Sequence, residues 1–247
     1  MTRPINRVAI IGTGVIGAGW AALFLAKGLE VVATDIAPNA DASLRQFVEA
    51  AWPALKRLGI APGASRSNLK FTTDLPAAVR SADLVQENGP ERIDFKKKLY
   101  RQLDELLPAD VIIASSSSGL TMSEIQSGCP SHPERCVIGH PFNPPHLIPL
   151  VEIVGGVKTS EDTIERAAEF YTAMGKRTIR LHKEVPGHVA NRLQAALARE
   201  VYYLVAEGVV SVADVDAALC WGPGLRWGIM GQVLLNHLGG GDRKSVV

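Results

Sequence analysis

"VAIIGTGVIGAGWAALFLAKG", residues 8–28, followed after one residue by "EVVATD", residues 30–35, decides how this chain folds. A β-branched run stops at three glycines, Gly12, Gly14 and Gly17, and a helix-like apolar stretch begins. In a strand–turn–helix unit the first glycine makes the tight turn, the second lets the backbone approach a pyrophosphate, and the third lets the helix pack closely on the sheet. The N–H groups of Val15, Ile16 and Gly17 at the helix start lack intrahelical partners and are expected to face the phosphates. Three spaced glycines alone say little. Asp35, about 20 residues further on at the end of the second strand, supplies the carboxylate that takes ribose hydroxyls. Its charge repels a 2′-phosphate, and Ile36 and Ala37 offer no arginine to hold one. The expected cofactor is therefore NAD, not NADP.

Working outward, short β-branched runs ("VVAT", "LKFT", "DLVQE", "VIIA") alternate with amphipathic stretches at 15–27, 40–58 and 91–107. Such alternation builds βαβ units around a mostly parallel sheet. Further strands are expected at "CVIGH", "PLVEIVG" and "RTIRL", with a helix at 160–174 whose acidic start suits the helix dipole. The Pro186-Gly187 pair marks a switch to helical periodicity. The expected fold is α/β: a Rossmann-type, doubly wound dinucleotide-binding domain over residues 1–185, followed by a small all-α C-terminal domain over 186–247.

Of 247 residues, 47% are hydrophobic and 21% charged, which describes a globular chain, not a disordered one. Lys plus Arg (26) nearly balances Asp plus Glu (25), so no basic field exists to attract nucleic acid or an acidic membrane. The expected partner is a small molecule. Cys129, Cys136 and Cys220 show neither a C-x-x-C pair nor metal-ligand spacing with the histidines, so no metal is expected and a reducing compartment fits. The N-terminus carries no secretory pattern and no apolar run is long enough to span a bilayer, which points to the cytoplasm.

"GHPFNPPHLIPLVEIVGG", residues 139–156, sets His140 in a proline-rich bend and Glu152 on the apolar run beyond it. Oxidising a secondary alcohol requires a base for the hydroxyl proton, and neutral imidazole suits that near pH 7. A carboxylate on the other ring nitrogen fixes the tautomer and stabilises the imidazolium. From the residues alone, a histidine merely hydrogen-bonded at a strand end is equally good.

Four motifs in order, "GTGVIGAGW", "ASSSSGL", "GHPFNPPHLIPLVEIVGG" and "VPGHVANRL", resemble the L-3-hydroxyacyl-CoA dehydrogenase family over residues 7–231. "AWPALKRLGIAPGAS" and "GPGLRWGIMG" look most like the branch with carnitine 3-dehydrogenases and lambda-crystallin-type gulonate dehydrogenases, which act on free 3-hydroxy acids. The resemblance implies an NAD-dependent oxidoreductase that interconverts an L-3-hydroxy and a 3-keto group, on a small 3-hydroxy acid such as carnitine; the alternatives are a 3-hydroxyacyl-CoA substrate and a catalytically silent NAD-binding or structural protein. It implies His140 as base with Glu152 behind it, and Ser118 and Asn191 as hydrogen-bonding groups at the reacting oxygen. It places Asn143 near the nicotinamide, and Glu91 and Lys96 of "PERIDFK" as cofactor contacts, where the residues by themselves read as a charged helix face. The remaining histidines, His188 included, are expected to be structural or exposed, although the family usually has an aromatic residue at 188. Arg226 is a candidate for a substrate carboxylate, and Trp227 or Trp221 for a quaternary ammonium. A homodimer is implied if the helical domain is complete. "GGGDRKSVV" departs from the family's continuation, so that domain is expected to be incomplete. A catalytic-lysine hydroxyacid dehydrogenase is disfavoured, because "NRLQAALARE" offers no lysine.

Overall fold

The computed structural model describes residues 4–239; residues 240–247, most of the "GGGDRKSVV" stretch, lie outside it. The chain divides into two compact units, Met1–Val189 and Ala190–Val247.

The first unit is built on one sheet of eight strands in the order β3-β2-β1-β4-β5-β6-β7-β8. In chain order these are Arg7–Ile11, Glu30–Thr34, Leu69–Thr72, Leu84–Glu87, Ile112–Ser115, Cys136–Pro141, Leu150–Gly155 and Arg177–Leu181. Strands β1 to β6 run parallel, with β1 between β2 and β4. A parallel sheet covered on both faces needs continuous apolar strands, and β4, β5 and β6 are buried along their whole length. Sheet and helices together form the expected doubly wound α/β architecture.

Helix α1 (Val15–Ala26) is apolar on every side, and Gly17 to Ala26 are all buried, as befits a helix at the centre of a domain. It packs beside α2 (Ala40–Leu58), which buries Leu44, Val48, Ala51, Trp52 and Leu55 at helical spacing and exposes its charges. On this side of the core Trp20 lies 5.2 Å from Phe24 and 5.3 Å from Tyr171 of α6 (Glu161–Ala173), ring centre to ring centre. Truncating one such fully buried ring typically costs about 3–5 kcal/mol. A separate apolar cluster gathers Val79, Tyr100, Leu103, Ile113, Met122 and Ile125 from α3 (Leu75–Val79), α4 (Ile93–Leu106), β5 and α5 (Met122–Gln126). Neither short helix, α3 nor α5, had a periodic signal long enough to be read from sequence.

Between β6 and β7 the chain reverses, because the connection 142–149 is shorter than the dozen or so residues that a parallel crossover needs. The antiparallel register puts His140 directly opposite Glu152.

The second unit comprises α7 (Ala190–Ala206), α8 (Val212–Trp221), α9 (Pro223–Trp227) and α10 (Gln232–Gly239). Among its described residues Val215 alone is buried. No described helix is long and apolar enough to cross a membrane.

Candidate active site

At the β1–α1 turn the three glycines meet three different demands. Gly12 has φ +81, where an L side chain is strained, and a Cβ there would meet the Asn88 carbonyl oxygen at 2.7 Å. A Cβ on Gly17 would lie 1.9 Å from the Gly12 carbonyl oxygen, so α1 can pack on the turn only through hydrogen. A Cβ on Gly14 would meet nothing within 4 Å. The space over Gly14 is open, and no side chain caps α1. A pyrophosphate fits that donor set: unpaired N–H groups of Val15, Ile16 and Gly17 with room for backbone approach.

Asp35 closes the turn from the end of β2. Its Oδ2 accepts from the Thr13 N–H at 2.7 Å and the Thr13 hydroxyl at 3.0 Å, and its Oδ1 from the Ala37 N–H at 2.9 Å. Burial pushes the carboxyl pKa up, but these donors outweigh it and hold the group below its ordinary range. Asp35 is thus ionised and only partly occupied, as a ribose acceptor must be.

Beneath the turn lies a buried polar lattice. Ser116 Oγ accepts from Trp20 Nε1 at 3.1 Å and Gln86 Nε2 at 2.9 Å, and donates to Asn88 Oδ1 at 2.8 Å. Asn88 Nδ2 in turn donates to the carbonyls of Ile11 and Gln86. Lys96 is 1% exposed, and its ammonium donates to both Glu87 oxygens at 2.8 Å. Glu87 also accepts from Ser115 Oγ at 2.6 Å. Sequence reasoning missed Gln86, Glu87 and Asn88; the available signal was three polar residues, "QEN", ending an otherwise apolar strand.

Glu91 lies outside α4, which begins at Ile93 and not at 91 as the periodicity suggested. That freedom lets its Oε1 gather the Ser117 hydroxyl (2.6 Å) and the N–H groups of Ser118 (3.1 Å), Gly119 (2.7 Å) and Leu120 (3.1 Å). Burial raises the Glu91 pKa, and the Ser117 hydroxyl, the Gly119 and Leu120 N–H groups and Lys96 more than reverse it. The carboxylate therefore organises the loop that presents Ser118, which is itself exposed.

His140 and Glu152 meet across the β6–β7 pair, with Nδ1 and Oε2 2.8 Å apart. Both are buried, Glu152 completely. The second Glu152 oxygen accepts the Val189 N–H at 2.9 Å. With Nδ1–H donating to a carboxylate, Nε2 carries the lone pair and can take a proton. His188, expected to be structural or exposed, is buried with its ring centre 5.0 Å from that of His140. Asn143 is exposed three residues after His140, and Asn191 is half-buried on the first turn of α7. Among the described residues no group of three His, Cys, Asp or Glu could hold a metal ion.

Comparison with known proteins adds a family to this geometry. Residues 7–185 match the domain described as 3-hydroxyacyl-CoA dehydrogenase, NAD binding domain, and residues 187–245 the C-terminal domain of that description. The chain is 52% identical over 240 residues to the L-carnitine dehydrogenase of Streptomyces griseus, covering 97% of this chain and 71% of that protein. It is 49% identical over 241 residues to a 3-hydroxyacyl-CoA dehydrogenase of Gibberella moniliformis, covering 98% and 74%. Among solved structures, 5-formyl-3-hydroxy-2-methylpyridine 4-carboxylic acid 5-dehydrogenase, an NAD-dependent dismutase, superposes with a TM-score of 0.88 at 37% identity, covering 99% of this chain and 84% of that one.

Proposed function

This chain belongs to the 3-hydroxyacyl-CoA dehydrogenase family, and from that premise we propose that it oxidises a small L-3-hydroxy acid, carnitine foremost, to the 3-keto acid at the His140/Glu152 pair. It is an NAD-dependent oxidoreductase acting on CH–OH. The observation that carries the site assignment is the 2.8 Å contact between His140 Nδ1 and Glu152 Oε2 on two buried side chains. Bound NAD supplies the acceptor for the hydride that leaves C3.

His140 Nε2 takes the hydroxyl proton, and Glu152 stabilises the imidazolium so formed. Held on its other oxygen by the Val189 N–H, Glu152 cannot turn away. Ser118 and Asn191 orient the substrate oxygen, and Asn143 the nicotinamide side. Gly12, Gly14, Val15, Ile16, Gly17 and Asp35 hold the dinucleotide. Glu91 acts by shaping the Ser118 loop, and Lys96 by fixing Glu87 beneath it.

Two features favour carnitine over a CoA thioester. Several of the relatives near half identity are named L-carnitine dehydrogenase. α2 offers only Arg45, Lys56 and Arg57 as cations for the phosphates of CoA, and Arg45 is already paired with Asp41 at 2.7 Å. A small acid needs one cation, for which Arg226, exposed on α9, is our candidate, with Trp227 or Trp221 for the trimethylammonium. We further propose a homodimer, because Leu193, Leu197, Tyr202 and Tyr203 of α7 are exposed and the described residues of the second unit bury almost no core of their own. The free thiols fit a cytoplasmic location.

The test is kcat/KM for carnitine, gulonate and 3-hydroxybutyryl-CoA, in wild type and in Arg226→Ala. Carnitine is expected to lead and to lose at least tenfold with Arg226→Ala; a preference for the thioester that survives the substitution would overturn the substrate assignment.

A further inference from the structure

Sequence reasoning set His188 aside, yet it occupies an unusual position. Its φ is +50, directly after Gly187 at +77, so a residue with a bulky side chain sits in the left-handed region. Its own N–H donates to the Val185 carbonyl at 3.0 Å, and the next N–H, that of Val189, donates to Glu152 Oε1 at 2.9 Å. Its ring is 2% exposed and meets the Ser117 carbonyl oxygen through Nε2 at 3.0 Å. A carbonyl oxygen only accepts, so Nε2 carries the hydrogen. Nδ1 is then a lone pair, buried, with no hydrogen-bond partner among the described residues. Protonating it would create a buried N–H with nothing to receive it.

We propose that His188 is a positioning residue of the reaction centre: its ring ties the Ser117 carbonyl to the flank of His140, while its left-handed backbone delivers the Val189 N–H to Glu152. One residue thereby holds the catalytic imidazole, its carboxylate and the Ser118 loop in a single geometry. The proposal rests on the assignment of His140 and Glu152 above. His188 does not carry the proton itself. The ionisable groups around it are His140 on β6, Glu152 on β7 and Glu91 before α4. Burial is the largest influence on its pKa and lowers it, the Ser117 carbonyl opposes, and His140 lowers it further. The net shift is downward, the same direction as the geometry, in which a buried Nδ1 without a partner favours the neutral ring.

Two variants separate the tie from the ring. His188→Gln keeps an amide N–H at similar reach to Ser117; His188→Phe keeps the ring and loses the donor. Turnover and imidazole nitrogen spectra are recorded for both and for wild type. The expected kcat falls about tenfold in His188→Phe and is restored to within about threefold of wild type in His188→Gln, with the NAD KM within about threefold throughout. In the spectra, His140 holds one Nδ1–H tautomer in wild type and His188→Gln and mixes tautomers in His188→Phe. Wild-type kcat and an unchanged His140 spectrum in His188→Phe would overturn the proposal. So would equal losses in both variants with a shifted acid limb of the pH–rate profile, which would make His188 a proton carrier. Should His188→Phe not fold, the wild-type spectrum still decides. A neutral Nε2–H tautomer for His188 between about pH 5.5 and 8 supports the tie, and a charged or Nδ1–H ring refutes it. If the wild type turns over none of the 3-hydroxy acids, the proposed function fails, while the tautomer spectra still read the His188 tie.

Discussion

At the β1–β2 end of the sheet the site consists of open space and backbone. Gly14 leaves nothing within 4 Å of where a Cβ would be, the N–H groups of α1 start uncapped, and Asp35 brings a carboxylate to the turn. At the β6–β7 end the site consists of buried side chains tied to one another and to backbone: His140 to Glu152, Glu152 to the Val189 N–H, His188 to the Ser117 carbonyl. A dinucleotide is bound by donors that cost nothing to keep exposed, whereas a base must be held rigidly with its counter-charge sealed from water. Substitutions at the first end should therefore move affinity, and those at the second end should move rate.

The largest expected effect breaks the second end alone. His140→Gln should lower kcat by about 10³ while the NAD Kd, read by fluorescence titration, stays within about threefold. Glu152→Gln should cost about 10² in kcat, since the imidazolium loses its counter-charge. Next come the glycines, which should divide by the room above them. Gly17→Ala forces a Cβ onto the Gly12 carbonyl oxygen and should lower unfolding stability by about 2–3 kcal/mol in urea. Gly14→Ala has room and should leave stability within about 1 kcal/mol while weakening NAD about tenfold. Equal behaviour of the two would remove the distinction between packing glycine and ligand glycine. Asp35→Ser should then narrow the preference for NAD over NADP about tenfold, measured as a ratio of kcat/KM.

The smallest effect concerns the connection between β6 and β7. Lys176 donates to the carbonyls of Pro145 and Ile148 and carries no carboxylate partner among the described residues. Burial, with Lys27 adding repulsion, lowers its pKa from 10.5 to about 8. The unfolded chain then binds more protons than the folded one between those two values, so stability should rise with pH across that window. Relative to Lys176→Met, the wild type should gain about 1–2 kcal/mol from pH 8 to 10.5 in urea titrations, discounted for partial solvent screening.

The first end was legible because it is local: strand, three glycines, helix and acid fall within residues 7–35, and each has a backbone reason to be there. The His140/Glu152 pair was legible only through a family motif, because the residues do not reveal that β6 and β7 run antiparallel in a register that opposes 140 to 152. Glu91 and Lys96 were marked by the family resemblance alone, since their pattern reads as a charged helix face, and each is engaged by the protein: one gathers the loop N–H groups, the other is sealed on Glu87. Glu91's partners lie 26 to 29 residues further along the chain, and Lys96 and Glu87, 9 residues apart, stand on a helix and a strand, so no spacing rule in the sequence shows either pairing. His188 was passed over for the same reason, since its neighbours His140 and Ser117 are distant in the chain. In the second unit the helical character was readable from periodicity, but not the division into four helices among the described residues.

The most direct test of the central claim follows the hydrogen on C3. Wild-type enzyme is given NAD and carnitine labelled with deuterium at C3, and the nicotinamide product is weighed by mass spectrometry. NADH one mass unit heavier is expected, formed together with the 3-keto acid, in wild type and at least about 10³ more slowly in His140→Gln. Unlabelled NADH, or labelled NADH formed equally fast without His140, would contradict it.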